Sequence, residues 1–309
     1  MNGQANDAPE RALNPPVLAG VTPKQRMYWS IRRELWENRS IYVAPLAVAG
    51  VILFGFLLRT ITLPRRMRAT LELDPVKQHA AINMPFHITA FLILLTGFIV
   101  GIFYCLDALH GERRDRSILF WKSLPVSDLI TVLSKASIPL VVLPIIVYAI
   151  MVIVQLIMLL WSSMVLLGSG PSLAALWAQV PLFQTSIATL YALIAIALWH
   201  APIYGWLLLI SAWARRATFL WAFLPLLAIC ILEKIAMNTS HFANLLRYRV
   251  LGWFVRAFVS SEQAGEVFHP LAQLTPGRFL CTPGLWIGLM FAGIFLAVAV
   301  RLRRYREPI

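Results

Sequence analysis

Charged, aromatic and helix-ending residues are concentrated in one short segment, 111–128. It reads Gly-Glu-Arg-Arg-Asp-Arg-Ser-Ile-Leu-Phe-Trp-Lys-Ser-Leu-Pro-Val-Ser-Asp. A dense charged head is followed by a short apolar run, and Pro125 then ends any helix because it lacks an amide hydrogen. Ser127 can cap the next helix, and Asp128 favours the positive end of its dipole. The few apolar side chains of such a helix need a partner surface or the membrane face. The segment is therefore predicted to bind a partner or the membrane rather than to catalyse a reaction.

Residues for catalysis or nucleotide binding do not form known motifs. The sequence contains no G-x-x-x-x-G-K-[ST], no H-E-x-x-H and no G-x-S-x-G. Its histidines show no metal-ligand spacing, so no metal site is expected. His200 and Gln155 lie inside apolar runs. Each could be a functional intramembrane group or a polar side chain that hydrogen-bonds a neighbouring helix.

The composition is that of a membrane protein. Of the 309 residues, 59% are hydrophobic and 13% are charged, with a mean hydropathy of +0.73, whereas soluble domains are roughly 25% charged. The formal net charge is +13. Because the basic residues flank apolar runs, they fit anionic lipid headgroups rather than nucleic acid. We therefore expect a lipid membrane as a partner and no nucleic acid.

The apolar runs predict an all-α polytopic membrane protein with about six transmembrane helices. A crossing takes about 20 residues, and glycine and proline at 168–171 interrupt the longest uncharged stretch. A single domain over 21–309 is expected after a disordered tail over 1–20. An amphipathic or re-entrant helix is predicted between the last two spans. The predicted spans are 41–58, 86–106, 137–167, 186–211, 218–235 and 282–300.

An amphipathic helix over 22–38 is predicted before the first span. Thr22 and Pro23 are a favourable helix start, and Met27 and Ile31 recur at helical spacing. Basic and aromatic side chains cover the rest, as in helices that lie on a membrane surface. A plain extension of the first span is the alternative. The surface residues of interest are Trp29, Arg32, Arg33 and Trp36.

Basic segments indicate how the bundle is oriented. The N-terminal helix, 113–135, 215–216 and the tail at 301–306 are rich in Arg or Lys and fall on one side of a six-span bundle. By the positive-inside rule this side is the cytoplasm, so both termini are expected there. The basic stretch 59–77 falls on the opposite side and conflicts with this prediction.

The segment 112–128, continuing to Ser134 and Lys135, resembles the signature of ABC-2-type transporter permeases, the membrane subunits of one class of ABC exporter. Trp-Ser-Ile-Arg-Arg-Glu-Leu-Trp-Glu at 29–37 is similar to the elbow helix of that family. Arg116 replaces a glycine that many members carry. The six spans and the helical segment before span 6 also agree, so the resemblance covers most of the chain.

The resemblance implies a mechanical role in a bacterial inner membrane. The loop between spans 2 and 3 would contain a cytoplasmic coupling helix that docks on a separate ABC ATP-binding subunit, which would hold ATP and Mg²⁺. Two such subunits and a second permease copy, as a homodimer, would complete the exporter. This chain itself would have no cofactor and no enzymatic activity.

Docking residues are expected within this loop. Phe120 and Trp121 are the candidate anchors, since buried aromatic side chains often dominate interfaces. The charged residues 112–115 would pair with the ATP-binding subunit or brace the helix. The candidate set is Glu112, Arg113, Arg114, Asp115, Ser117, Phe120, Trp121, Lys122, Leu124 and Pro125.

Two other functions stay open. A non-transporting anchor or sensor could use the same loop to dock a cytoplasmic partner. A membrane-embedded, lipid-modifying enzyme would need clustered polar residues at one membrane depth, and the sequence offers no such cluster. An apolar path without buried charge favours a lipid, a drug or a hydrophobic peptide as substrate.

Overall fold

The structure, a computed structural model, describes residues 22–115, 127–167, 170–258, 271 and 274–305. These ranges contain helices and no β-strand, and helix makes up about 89% of the structure. Six helical units are long and apolar enough to cross a membrane. The prediction of an all-α, six-span membrane protein is therefore confirmed, whereas the predicted tail over 1–20 lies outside the described residues.

The described helices follow one another with short connections. They are α1 (Pro23–Glu37), α2 (Ser40–Thr60), α3 (Leu63–Leu71), α4 (Pro75–Ala108), α5 (His110–Arg114), α6 (Asp128–Ser137), a π-helical turn (Ile138–Val142), α7 (Leu143–Val165), α8 (Gly170–Gln179), α9 (Leu182–Trp213), α10 (Thr218–Met237), α11 (His241–Ala257), α12 (Pro276–Leu280) and α13 (Pro283–Tyr305). The spans are α2, α4, α6 with α7, α9, α10 and α13. We call the end of the bundle with α1 and α5 the α1 end, and the opposite end, with α3 and α8, the α3 end.

Helix α1 begins at a capping box. The Thr22 hydroxyl accepts a hydrogen bond from the Gln25 amide at 3.3 Å, and the Gln25 side chain accepts one from the Thr22 amide at 2.9 Å. This reciprocal pairing satisfies two amides that a helix start leaves free. Ile31 and Leu35 pack against the hydrophobic core, so the helix lies along the bundle with one face turned inward.

Spans 2 and 3 begin earlier than the hydropathy predicts. Helix α4 starts at Pro75 rather than near residue 86, and α6 starts at Asp128 rather than near residue 137. Polar residues occupy the first turns of both helices, so a search for apolar runs misses them. The extra turns extend both helices beyond their most apolar part, and at the α1 end they hold charged residues.

A π-helical turn joins α6 to α7. Pro139 lies within it, and Pro144 opens α7. Proline removes one helical hydrogen bond and pushes away a carbonyl, and a single wide turn absorbs this change without ending the helix. The third span therefore passes through the bundle as one continuous helical unit.

Helix α9 is the most buried of the spans, and α10 is the least buried. Helix α9 packs closely on α13, because Gly205 faces the Ala292 backbone and a β-carbon there would lie 3.3 Å from the Ala292 carbonyl oxygen. Small residues of this kind let two helix backbones approach in a membrane.

Helix α11 enters the bundle from the α3 end. The Glu233 carboxylate near the end of α10 accepts hydrogen bonds from the amides of His241 at 2.6 Å and Phe242 at 2.8 Å, which caps α11. The Trp199 indole then donates to the Arg249 carbonyl at 2.9 Å. Because Trp199 lies well inside α9, α11 packs beside the middle of that helix.

Candidate functional site

Six charged side chains and one tyrosine meet at the α1 end of the bundle. They come from α1, α4, α5, α6 and α13, so the site joins helices that are far apart in sequence. We call this set the ionic network; its members are Arg33, Glu34, Tyr104, Glu112, Asp128, Lys135 and Arg303.

Glu34 is the fully buried carboxylate of α1. Its Oε1 accepts from Lys135 Nζ at 2.8 Å and from Arg33 Nη2 at 2.7 Å. Its Oε2 accepts from the Tyr104 hydroxyl at 2.9 Å. Three donors thus satisfy a carboxylate with 0% exposure, and they fasten α1 to α4 and α6.

Glu112 is the second buried carboxylate, and it lies on α5. Its Oε1 accepts from Lys135 Nζ at 3.1 Å and from Arg33 Nη2 at 3.1 Å, while its Oε2 pairs with Arg303 Nη1. Arg303 also donates from Nε to Asp128 Oδ1 at 3.1 Å. Glu112 precedes and Asp128 follows the segment 116–126 in the sequence, so Arg303 of α13 bonds to a residue on each side of it.

The ionic network as defined contains three cations and three carboxylates, and Arg33 also pairs with the exposed Glu37 carboxylate at 3.6 Å. Burial raises the pKa of the Glu34 carboxyl, but the Lys135 ammonium and the Arg33 guanidinium outweigh burial, so the pKa of Glu34 lies below its ordinary value. A buried ion pair adds little net stability compared with apolar residues, yet the loss of one partner is costly. The network is therefore better suited to fixing how these helices are joined than to adding stability.

A second set of bonds fastens α5 to the end of α9. The Ser211 hydroxyl accepts from the amides of Leu109 at 3.0 Å and His110 at 2.9 Å. Arg113 donates from Nη1 to the carbonyls of Ala212 at 2.8 Å and Ala214 at 3.2 Å. These carbonyls lie at the C-terminal end of α9, where helix carbonyls lack internal partners.

The charged residues 112–115 divide into a buried and an exposed pair. Glu112 and Arg113 are 7% and 4% exposed and are bonded within the chain. Arg114 and Asp115 are exposed and pair with each other at 3.1 Å. Only the second pair is accessible to a partner in this arrangement. The remaining predicted docking residues, Ser117, Phe120, Trp121, Lys122, Leu124 and Pro125, lie outside the described residues.

The predicted surface residues of α1 have two different placements. The Arg32 guanidinium lies over the rings of Trp29 and Trp36, at 5.1 and 4.7 Å from their centroids. Both tryptophans are more than half exposed. Arg33, in contrast, turns inward to the ionic network.

The two polar residues predicted inside the membrane are both buried. His200 has its two ring nitrogens beside carbonyl oxygens, Nδ1 at 2.9 Å from Ile196 and Nε2 at 3.2 Å from Val250. Gln155 is 2% exposed and lies in α7. A neutral imidazole carries one N–H, so His200 donates to one of these two carbonyls, and the tautomer protonated at Nε2 would join α9 to α11.

The ionic network is not evident from the sequence, because its bonded pairs are separated by up to 191 positions. One signal was present: Glu34 follows Met27 and Ile31 at helical spacing, so it places a carboxylate on the apolar face of α1. A buried carboxylate in that position needs a cation, and Lys135, which is 2% exposed, contacts it together with Arg33.

Comparison with known proteins adds no relative. No protein-family model, no curated protein and no solved structure matches this chain. Within the described ranges, no three His, Cys, Asp or Glu side chains meet as they would to hold a metal ion. The chain is therefore assigned only to a broad class, that of helical, multi-pass membrane proteins. A buried ionic network joins the helices at its α1 end.

Proposed function

We propose that this chain is the permease subunit of an ATP-driven exporter of the ABC-2 type. It would lie in the bacterial inner membrane, with the α1 end and both termini in the cytoplasm. A separate ATP-binding subunit would hold ATP and Mg²⁺, and two copies of each subunit would form the exporter. The observation that carries this proposal is the ionic network, which joins α5 and α6, the helices before and after the segment 116–126 in the sequence, to α1 and α13.

The proposed mechanism is transmission of movement. A partner that docks on 116–126 and moves would displace α5 and α6 first. Helix α5 is bonded to the end of α9 through Arg113 and Ser211, and α6 is bonded to α1 through Lys135. Arg303 bonds α13 to both α5 and α6. A displacement of the loop would therefore reach four spans, namely α4, α6 with α7, α9 and α13, and helix α1 would move with them.

The exposed tryptophans of α1 support the assignment of this end to a membrane surface. Tryptophan prefers the interface, where one face of the ring is apolar and the other is hydrated. Arg32 between Trp29 and Trp36 adds a cation at the level of anionic headgroups. The basic segments near α5, at the end of α9 and at the end of α13 lie at the same end, whereas basic residues of α3 lie at the opposite one.

A non-transporting anchor that docks a cytoplasmic partner is the second candidate, because the same network would hold the same loop. The two functions differ in ATP hydrolysis. In the first, the purified assembly contains a subunit with a phosphate-binding loop and hydrolyses ATP. In the second, it does not.

The test is purification of the tagged chain from its own membranes in mild detergent. We expect a polypeptide with a G-x-x-x-x-G-K-[ST] motif to co-purify and the sample to hydrolyse ATP in a vanadate-sensitive manner. The double variant Phe120→Ala/Trp121→Ala should insert normally but lose both the subunit and the activity. The matched control is Phe219→Ala/Phe223→Ala, an exposed aromatic pair on α10, which should keep both. Unchanged retention and hydrolysis in the first variant would contradict the proposal.

A further inference from the structure

A cavity of about 800 Å³ opens between α4, the start of α7, α9 and α11. Its size is within the range of about 300–1,000 Å³ that is typical of pockets for small molecules. The residues that matter for its chemistry are His87 and Phe98 from α4, Tyr204 and His200 from α9, and Phe254 from α11.

Hydrogen bonds hold the wall of the cavity that α11 forms. Trp199 donates to the Arg249 carbonyl at 2.9 Å, and His200 lies 3.2 Å from the Val250 carbonyl. At the α4 wall, Gly97 lets α7 approach, since a β-carbon there would lie 2.7 Å from Val147 Cγ2. The cavity is thus framed by fixed contacts rather than by an unpacked end of the bundle.

Among the residues that the structure describes, the lining contains no Asp, Glu, Lys or Arg side chain, and its basic side chains are the imidazoles of His87 and His200. An ion that entered would lose its hydration and find no countercharge, at a cost of several kcal/mol. His200 offers little to a ligand, because its ring nitrogens already face two carbonyl oxygens. The part of a ligand that enters this cavity is therefore uncharged and mainly hydrocarbon.

Tyr204 adds one polar requirement to the apolar lining. Its side chain is only 4% exposed and lines the cavity, and no hydrogen bond within the described residues involves its hydroxyl, which is not among their fully buried, unpartnered oxygens. A hydroxyl that faces an apolar cavity is stabilised when a bound molecule supplies a hydrogen-bond partner. The comparable Tyr104 is bonded to Glu34. A bound molecule with a neutral hydrogen-bonding group would supply the partner that Tyr204 lacks.

We infer that this cavity binds an uncharged amphiphile, a hydrocarbon chain with a single neutral hydroxyl, ester or carbonyl group that bonds to Tyr204. Exposed apolar side chains border the cavity, Phe91 at 62% and Phe254 at 60% exposure, so the molecule enters from the lipid. Binding itself does not depend on the proposed exporter function. Only the statement that the bound molecule is the exported one rests on it.

The test uses a monoacylglycerol that carries a photoreactive diazirine on its chain, added to the purified full-length chain in nanodiscs. We expect saturable labelling that maps to peptides of α4, α9 and α11. Ala197 lines the cavity and is 8% exposed, so Ala197→Phe should fill it and reduce saturable labelling at least about tenfold. The matched control Ala228→Phe, on the exposed side of α10, should leave labelling unchanged.

The hydroxyl of Tyr204 is tested separately, because Tyr204→Phe keeps the ring and removes only the oxygen. Unlabelled monoacylglycerol should compete about 2- to 10-fold less well in Tyr204→Phe, the range of one net hydrogen bond. A plain hydrocarbon of equal length should compete equally in both proteins. Should Ala197→Phe fail to fold, as judged by gel filtration and circular dichroism, this second variant decides alone.

Several outcomes would overturn the inference. Labelling that does not saturate, or that Ala197→Phe leaves unchanged, would place the molecule elsewhere. Equal competition by the monoacylglycerol in wild type and Tyr204→Phe would remove the polar contact. Absence of labelling together with a change of oligomeric state in Ala197→Phe would assign the cavity to a second copy of the chain. None of these results depends on ATP hydrolysis, so a failure here and a failure of the proposed function are distinguishable.

Discussion

Replacement of Lys135 by methionine tests the ionic network most sharply. Lys135 is 2% exposed, and its ammonium donates to Glu34 Oε1 at 2.8 Å and to Glu112 Oε1 at 3.1 Å. Methionine keeps most of the length of the side chain and removes the charge. The network then contains three carboxylates and two cations, so it carries one excess negative charge, although each carboxylate keeps a contact with Arg33 or Arg303.

The expected loss follows from this imbalance. Removal of one partner from a buried ion pair lowers the free energy of unfolding by about 3–5 kcal/mol. Arg33 still contacts both carboxylates, which favours the lower part of that range. The double variant Lys135→Met/Glu34→Gln restores the balance, so we expect it to be more stable than Lys135→Met, with a coupling energy of about 0.5–3 kcal/mol.

The assay is unfolding by SDS in mixed micelles, followed by circular dichroism and tryptophan fluorescence. Arg114→Met is the control, because Arg114 is exposed and pairs only at the surface, and it should leave the unfolding curve unchanged. A Lys135→Met variant as stable as the wild type would refute the reasoning. So would a double variant whose loss equals the sum of the two single losses, because the two side chains would then not be coupled.

Two further predictions follow from the structure. The pKa of Glu34 lies below its ordinary value near 4.5, so its bonds stabilise the fold at neutral pH, and this contribution is lost as the pH falls below about 4.5 through the folded-state pKa. Between pH 7 and 3, the thermal midpoint of the wild type should therefore fall more steeply than that of Glu34→Gln. Parallel curves for the two proteins would contradict this prediction. Gly97→Ala places a methyl group 2.7 Å from Val147 Cγ2 and should lower the free energy of unfolding by about 1–3 kcal/mol. Gly50→Ala meets nothing within 4 Å and should be neutral or stabilising by about 0.5–1 kcal/mol; equal losses in both glycine variants would show that the α4–α7 contact is not tight.

Elements whose signal is local could be predicted from the sequence. Helix α1 follows from Thr22 and Pro23 at its start and from the spacing of its apolar residues, and the structure begins it at Pro23. The six spans follow from their length and hydropathy. In both cases the information lies within about 20 neighbouring residues, which is the range over which periodicity and hydropathy act.

The ionic network could not be predicted, because tertiary packing alone decides which charges pair. Arg303 and Glu112 are 191 positions apart, and Tyr104 and Glu34 are 70 apart. A charged residue at the end of a span is also explained by an extended side chain that reaches the interface. Nothing in the sequence distinguishes that placement from the buried one that Lys135 and Arg303 adopt.

The cavity could not be predicted from the sequence either, because it also depends on contacts between distant helices. Its walls come from three spans and from α11, and α11 reaches His200 only because Glu233 caps its start and turns the chain back toward α9. In the sequence, Glu233 is recognisable only as a charged residue near the end of a span. Its role as a cap depends on the turn after α10, where Asn238 adopts a left-handed conformation with φ of 50°.

The most direct test of the central claim is a structure of the chain purified from its own membranes, in the presence of ATP with vanadate and again without nucleotide. We expect an ATP-binding subunit in contact with 116–126 in both states, and a displacement of α5 and α6 between them. The bonds of Lys135 to Glu34 and Glu112 should stay intact as the helices move together. A structure without an ATP-binding subunit, or one in which that subunit contacts another part of the chain, would contradict the claim.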